Sequence, residues 1–387
     1  MRYPVLCAAL VFAAPIAAQT QPATPAEPTT PNEIVAAAPG TDWNRIAPED
    51  LLVMDLAPDA AGRARRVVIQ LLPAPFSQGW IDNMRKLARA KWWDGTSINR
   101  VQDNYVVQWG DPGAEDRAKA KALPSGLTKV PESDYTVDVE TLAGASAEGA
   151  IADAVEEVAA LDDFNQPSPS EQRALISIEA TQTELASQGW HERDSYAPWV
   201  EFWNGWPLAN QETGRWVDED GNAVARPANT QGHILQEQKI SRDVERSEFW
   251  PVHCYGYVGV GRDVSPDTGS GAELYAVIGQ APRHLDRNIA VVGRVIEGIE
   301  HLSALPRGTG PLGFYETPGE RTAITAIRLG SDVSGLPAFE YLDTDSGSFA
   351  AYLASRANRK DSFYFRPAGG VDICNVPVPV RRVSTGD

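Results

Sequence analysis

Cysteine is scarce in this chain of 387 residues, which holds only Cys7, Cys254 and Cys374. No Cys-x-x-Cys pair occurs, which removes a dithiol redox motif and a zinc ribbon. Histidine is also rare, with five scattered copies. The "HERD" segment at His191 lacks metal-ligand spacing, so a surface role is expected there and no metal site is predicted. There is no Gly-x-Ser-x-Gly elbow for a nucleophilic serine. "GYVGVG" (Gly256 to Gly261) superficially looks like a dinucleotide loop, but its glycine spacing is wrong and "RDVSPDTGSG" follows where a helix is needed. "DTDSGS" (Asp343 to Ser348) lacks the sixth-position glycine and twelfth-position glutamate of a calcium loop. No cofactor is therefore expected. Positive charge is in deficit as well: 34 Lys and Arg against 52 Asp and Glu give a net charge of −18. That excludes the basic footprint of a nucleic-acid binder. The acidity favours solubility and names no partner.

Long hydrophobic runs are missing too. The longest begins the chain, in "MRYPVLCAALVFAAPIAAQT", and is shorter than the about 20 apolar residues that span a bilayer. Arg2, the apolar run, and Ile16 and Ala18 at the −3 and −1 positions make the pattern of a secretory signal peptide over residues 1–18. Export to a periplasmic or extracellular space is expected, with no membrane span. Cleavage would leave Cys254 and Cys374, an even pair in an exported protein. A disulfide between them and two buried free thiols are both open readings. Residues 19–42, rich in Pro and Thr, read as an extended tether, with folded sequence starting near Trp43.

The length leaves room for two or three units at roughly 100–200 residues each. "LLVMDL" and "RRVVIQLL" (Leu51 to Leu56, Arg65 to Leu72) predict a hairpin around "APDAAGR". Trp80, Met84 and Leu87 make an apolar helical stripe, continued by Lys91, with Gly95 helping to end the segment. Residues 113–250 differ in character. Ile151, Val155 and Val158 predict a helix, "NQPSPSEQ" a loop, and Asp-Gly in "VDEDGNAV" a hairpin. Six tryptophans lie here (Trp190, Trp199, Trp203, Trp206, Trp216 and Trp250) and are expected to anchor a small core rather than a contact surface. β character returns after Pro251. A helix is predicted from about Ser348 to Ala357, capped by Ser346 or Ser348. The prolines of "VDICNVPVPVRR" suit an edge strand or an extended cover rather than a central strand.

One hairpin poses a question. "SINRVQDNYVVQWGDP" (Ser97 to Pro112) reads as two apolar strands around a polar turn, yet it holds Arg100 and Gln108. Alternation sets Ile98 and Arg100 on one face, and Val106 and Gln108 on another; a bulge at the turn would bring Tyr105 to the Arg100 side. By itself this favours a satisfied structural ion pair at Arg100.

Together with the C-terminal half, these residues resemble the cyclophilin-type peptidyl-prolyl isomerases. "DNMRKLARAKWWDGTSINRVQDNYVVQWGDP" follows the family pattern Asn-Phe-Arg-x-Leu, Phe-His-Arg-Val and Phe-Met-x-Gln-Gly-Gly-Asp. "GYVGVGRDVSPDTGSGAELYAVIGQAPRHLDRNIAVVGRVIEGIEHL" follows its second block in the same order. The resemblance implies a mainly β fold: an eight-stranded antiparallel barrel from residues 43–112 and 251–330, closed by helices at Trp80 to Ala90 and Ile299 to Leu305. Residues 113–250 would be a mixed α/β insertion near the active face, and residues 331–387 a C-terminal extension.

The resemblance implies catalytic Arg100 with the substrate-binding Gln108, a proline pocket of Tyr105, Val106 and Tyr275, backbone contacts at Gly261 and Arg262, and a rim of His284 and Leu285. Departures are Glu273 for a glutamine, Leu274 for a phenylalanine, Asn99 for a histidine and Ile289 at the rim. The two tyrosines are expected to make the pocket more polar. The function implied is rotation of X–Pro bonds in proline-containing polypeptide clients. The alternative is a non-catalytic binding or chaperone module that uses the groove or the insertion.

Overall fold

The computed structural model of the protein describes residues 30–114, 116, 118–145, 185–217, 223–224 and 241–383. The signal-peptide stretch, the helix expected around Ile151, Val155 and Val158, and the "NQPSPSEQ" loop lie outside the described residues. In chain order the strands are β1 (Trp43–Ile46), β2 (Leu51–Leu56), β3 (Arg65–Leu71), β4 (Ser97–Val101), β5 (Val106–Gly110) and β6 (Val137–Asp138). Then come β7 (Trp199–Trp203), β8 (Trp206–Val217), β9 (Ala223–Val224), β10 (Ser241–Pro251), β11 (Tyr257–Val260) and β12 (Leu274–Val277). The last are β13 (Val291–Glu297), β14 (Thr322–Leu329), β15 (Phe339–Leu342) and β16 (Val380–Arg382).

Eight of these close an antiparallel barrel in the order β11-β12-β5-β4-β14-β2-β3-β13. Closure leaves no unpaired sheet edge. β2 and β3 read as near-continuous apolar runs because both of their faces are covered. Leu52, Met54, Val67 and Ile69 fill the barrel. Leu51 and Val68 point outward and pack on Ile46 and Phe339. Those two belong to a small sheet, β1-β15-β16, through which the C-terminal extension clasps the barrel wall. The proline-flanked strand β16 sits at that sheet's edge, where missing N–H donors cost no ladder bond.

One barrel end is stoppered by the helix Gln78–Arg89. Trp80, Ile81, Met84 and Leu87 are each 0 % exposed, and burying side chains of this size contributes about 1.5–3 kcal/mol apiece. The helix ends earlier than Gly95 suggests. Trp92 N–H bonds Leu87 O at 3.0 Å and Lys91 N–H bonds Ala88 O at 3.0 Å, with Lys91 itself at φ 54°. This is a left-handed helix stop made without glycine; Gly95 serves the following turn into β4. The second closing helix is the short Glu300–Ser303.

The tether is shorter than expected, because a helix runs over Pro31–Ala37. Thr30 and Glu33 form a reciprocal capping box with Pro31 at its first position, and Ile34 and Val35 pack on the core. Ser346 caps the C-terminal helix Gly347–Ala357 by accepting Phe349 N–H.

Residues between the two barrel halves build a second sheet, β6-β10-β8-β7, with β9 paired to β8. Trp216 pairs with Val224 and Val217 with Ala223, as the Asp-Gly signal predicts. Trp190, Trp203, Trp206 and Trp250 are buried while Trp199 is exposed, so the rings are mainly core. Arg294 joins this sheet to the barrel: it lies 4.4 Å from the Trp206 ring, donates to Gly205 O at 2.7 Å and to Gln70 Oε1 at 2.9 Å.

Candidate active site

The hairpin β4–β5 carries a bulge that simple alternation does not show. Ile98 pairs with Trp109, but the register shifts at Asn99 so that Arg100 pairs with Gln108. Ile98 and Trp109 therefore point into the barrel, both 0 % exposed, while Arg100 and Gln108 point out together. The expected shared face of Ile98 and Arg100 is thus corrected: an extra residue reverses the facing of everything beyond it. Tyr105 does reach the Arg100 side. Asn104 takes a left-handed conformation at φ 50°, and the Tyr105 ring stands 5.7 Å from the Arg100 guanidinium.

Arg100 has no acidic partner among the described residues. Nε donates to Leu312 O at 2.7 Å, one terminal nitrogen to Gln108 Oε1 at 3.2 Å and the other to Gln102 Oε1. The Phe314 ring lies 5.3 Å away. The nearest acid in sequence, Asp103, is held by Arg307 at 2.9 Å. The structural ion pair is therefore not what is built here. Partial burial pushes the Arg100 pKa down from its ordinary value, yet guanidinium stays charged at any physiological pH. A cation held only by neutral acceptors keeps its field available to a visitor.

Beside it lies a small apolar cluster separate from the barrel core: Val106, Tyr275 and Val277, with Tyr105, Leu285 and Ile289 packed on it. Val106 pairs with Val277 and Gln108 with Tyr275 across β5–β12, so pocket and cation share one wall. His284 is exposed at the rim and stacks on Tyr105, with centroids 6.4 Å apart and planes at 11°. Gly261 is at the wall's far side, where a Cβ would meet Gln108 Nε2 at 3.5 Å. Arg262 leans toward the rim loop, donating to Asn288 O at 2.9 Å.

The Tyr275 hydroxyl does not make the pocket polar, contrary to expectation. It bonds His253 Nε2 at 2.8 Å, and His253 is 0 % exposed. Burial pushes the Tyr275 pKa well up, so the phenol stays protonated. Gly259 makes room for this ring, which a Cβ there would overlap. His253 Nδ1 faces Asp286 Oδ1 at 3.0 Å. A carboxylate only accepts, so the Nδ1 side of the ring carries a proton toward Asp286.

A family model matches residues 79–157 and 181–328, more than half the chain; its description is cyclophilin type peptidyl-prolyl cis-trans isomerase/CLD. The chain belongs to the cyclophilin-type isomerase family. Its fold is also similar to the crystal structure of cyclophilin AquaCyp293 from Hirschia baltica, with a TM-score of 0.53 and 19 % identity over 93 % of this chain and 100 % of that one. No curated protein matches.

Around this cyclophilin pocket the structure adds residues that sequence reasoning missed. Asp286 accepts from Arg283 Nε at 2.6 Å, and Arg283 also bonds Asp194 of the inserted region. A buried chain thus runs from the pocket floor, Tyr275, through His253, Asp286 and Arg283 to Asp194. Asp194 was visible inside "HERD", where only metal spacing gave a reason to look; His191 of the same segment is exposed. The rim residue Leu312, whose carbonyl holds Arg100, has no sequence signal. Next to His253, Cys254 is bonded to Cys374, which decides between the two open readings of the thiols. Among the described residues no cluster has the make-up of a metal site, and no helix is long and apolar enough to cross a membrane.

Proposed function

We propose that this cyclophilin-family isomerase acts on exported polypeptides and that Arg100 accelerates X–Pro rotation by stabilising the twisted amide. The observation that supports this most is a partly exposed guanidinium without a carboxylate partner, standing beside Gln108 at the mouth of an apolar pocket.

Rotation about an amide faces a barrier of about 18–20 kcal/mol because resonance must break, and uncatalysed X–Pro exchange takes roughly tens to hundreds of seconds. No nucleophile or proton transfer is required. The ring of Pro enters the cluster of Val106, Tyr275 and Val277, which places its amide against Arg100 and Gln108. The planar form is polar and loses solvation there. In the twisted form nitrogen regains a lone pair, which a fixed donor meets without reorganisation. A charge-assisted hydrogen bond of about 1.5–3 kcal/mol, made only in the twisted state, gives roughly ten- to a hundredfold in rate. Export is supported by the signal-like first 18 residues.

Exchange spectroscopy on an Ala-Pro peptide tests this reading. Wild-type protein should broaden and merge the cis and trans resonances, and Arg100→Ala should lose most of the effect; a wild-type rate equal to buffer contradicts it.

One observation favours the binding-module alternative. Two of the Arg100 nitrogens already donate to Leu312 O and Gln102 Oε1, which reduces what the cation offers a substrate. The same exchange experiment separates the two, since a pure binder would bind the peptide and leave its rate unchanged.

A further inference from the structure

The wall that carries the pocket continues past it. Along β12 the outward residues are Val277 and Tyr275, facing Val106 and Gln108; the next in that alternation is Glu273, one step of about 7 Å further on. Its carboxyl lies over Gly110, where any Cβ would overlap it. Glu273 Cβ and Gln108 Nε2 border the same side of Gly261, at 2.9 and 3.5 Å from a Cβ built there. The carboxyl, Gln108 and Gly261 therefore frame one patch of groove, on the side of Gln108 away from the pocket.

The carboxyl is short of partners. Asp111 N–H donates to Oε1 at 2.7 Å, and no Lys, Arg or His pairs with it among the described residues. Two charged groups face this region. The Asp111 carboxylate is occupied by the N–H groups of Gly113 and Lys121, and the Arg262 guanidinium by Asn288 O and Asp263 O. A mostly buried carboxylate without a cation is an unbalanced charge, and a cation brought by a ligand would balance it.

Substrate geometry says where that cation would come from. With the proline ring in the pocket and its amide at Arg100 and Gln108, the preceding residue must lie beyond Gln108, toward Glu273. We propose that Glu273 makes the groove select polypeptides with lysine or arginine immediately before the proline. This deepens the isomerase reading and rests on its placement of proline in the groove. Burial holds the Glu273 carboxyl up to about 7, so its charge is present at pH 8 and fades in mildly acidic solution.

The test uses three hexapeptides that differ only in the residue before proline (Lys, Ala or Glu), titrated by NMR into the full-length protein at pH 8 and low salt. Each charge step should change Kd by about fivefold, the size of a modest charge pair, in the order Lys tighter than Ala tighter than Glu. In Glu273→Gln, which retains an oxygen for Asp111 N–H, the Lys-to-Ala ratio should fall below about twofold. Equal affinities in the wild type, or an unchanged ratio in the variant, overturn the inference. Exchange rates read on the same samples separate the two proposals. Charge-selective binding with buffer-rate exchange supports the role of Glu273 and contradicts catalysis, whereas no binding by any peptide overturns both.

Discussion

His253 Nε2 lies 2.8 Å from the Tyr275 hydroxyl, which turns a polar substitution in the pocket floor into an internal hydrogen bond. The pocket keeps its apolar lining, and the phenol instead anchors the floor to a buried histidine. Tyr275→Phe should therefore leave peptide affinity within about twofold while costing about 1–3 kcal/mol of stability, because His253 Nε2 is left buried without a partner. Urea denaturation alongside peptide titration checks both halves. Adding His253→Leu to that variant should recover part of the loss.

Asp194 meets the rim through Arg283, whose side chain is 1 % exposed against 9 % for that of Asp194. Asp194→Ala leaves the Arg283 guanidinium with Asp286 as its remaining carboxylate partner, so the cost should stay below the about 3–5 kcal/mol of a buried charge left wholly unpaired. Thermal unfolding should show the loss, and amide resonances of His284 and Leu285 should shift although neither residue is altered.

Cys254 and Cys374 close a separation of 120 residues. Chain entropy sets the contribution of such a loop at up to about 5 kcal/mol. Reduction, or the double change to alanine, should lower the urea midpoint by a corresponding amount, and mass mapping of the untreated protein should find the two cysteines joined.

Glu273 makes stability depend on pH. Its pKa is raised from 4.5 to about 7, first by burial and then by the Asp111 carboxylate, against the lowering effect of Asp111 N–H. A raised carboxyl binds more protons folded than unfolded, so its contribution is most favourable near and below pH 4.5 and is lost as pH rises to about 7. Glu273→Gln should flatten that slope and raise stability at pH 8 by on the order of 1–2 kcal/mol. Paired urea titrations at pH 5 and pH 8 measure it.

Much of the barrel was legible because strands covered on both faces leave dense apolar runs, as in "LLVMDL". The helix stripe of Trp80, Met84 and Leu87 was legible for the matching reason, a single buried face. The bulge at Asn99 was not, since alternation is read by counting residues and a bulge changes the count without changing composition. The helix Pro31–Ala37 hid inside a Pro- and Thr-rich stretch, although Thr30-Pro-Asn-Glu33 is a capping-box sequence. At the site, Arg100 and Gln108 stood out as polar residues in apolar strands. The buried chain from Tyr275 to Asp194 did not, because its members come from four separate segments and each looks ordinary alone.

If Arg100 stabilises the twisted amide, its removal should slow rotation more than it weakens peptide binding. The decisive measurement is the exchange rate of a bound X–Pro peptide at saturation, together with its Kd, in wild type and Arg100→Ala. The rate should be lower by roughly ten- to a hundredfold in the variant, with Kd within about threefold of wild type. A variant whose affinity falls while its saturated rate is unchanged would contradict it.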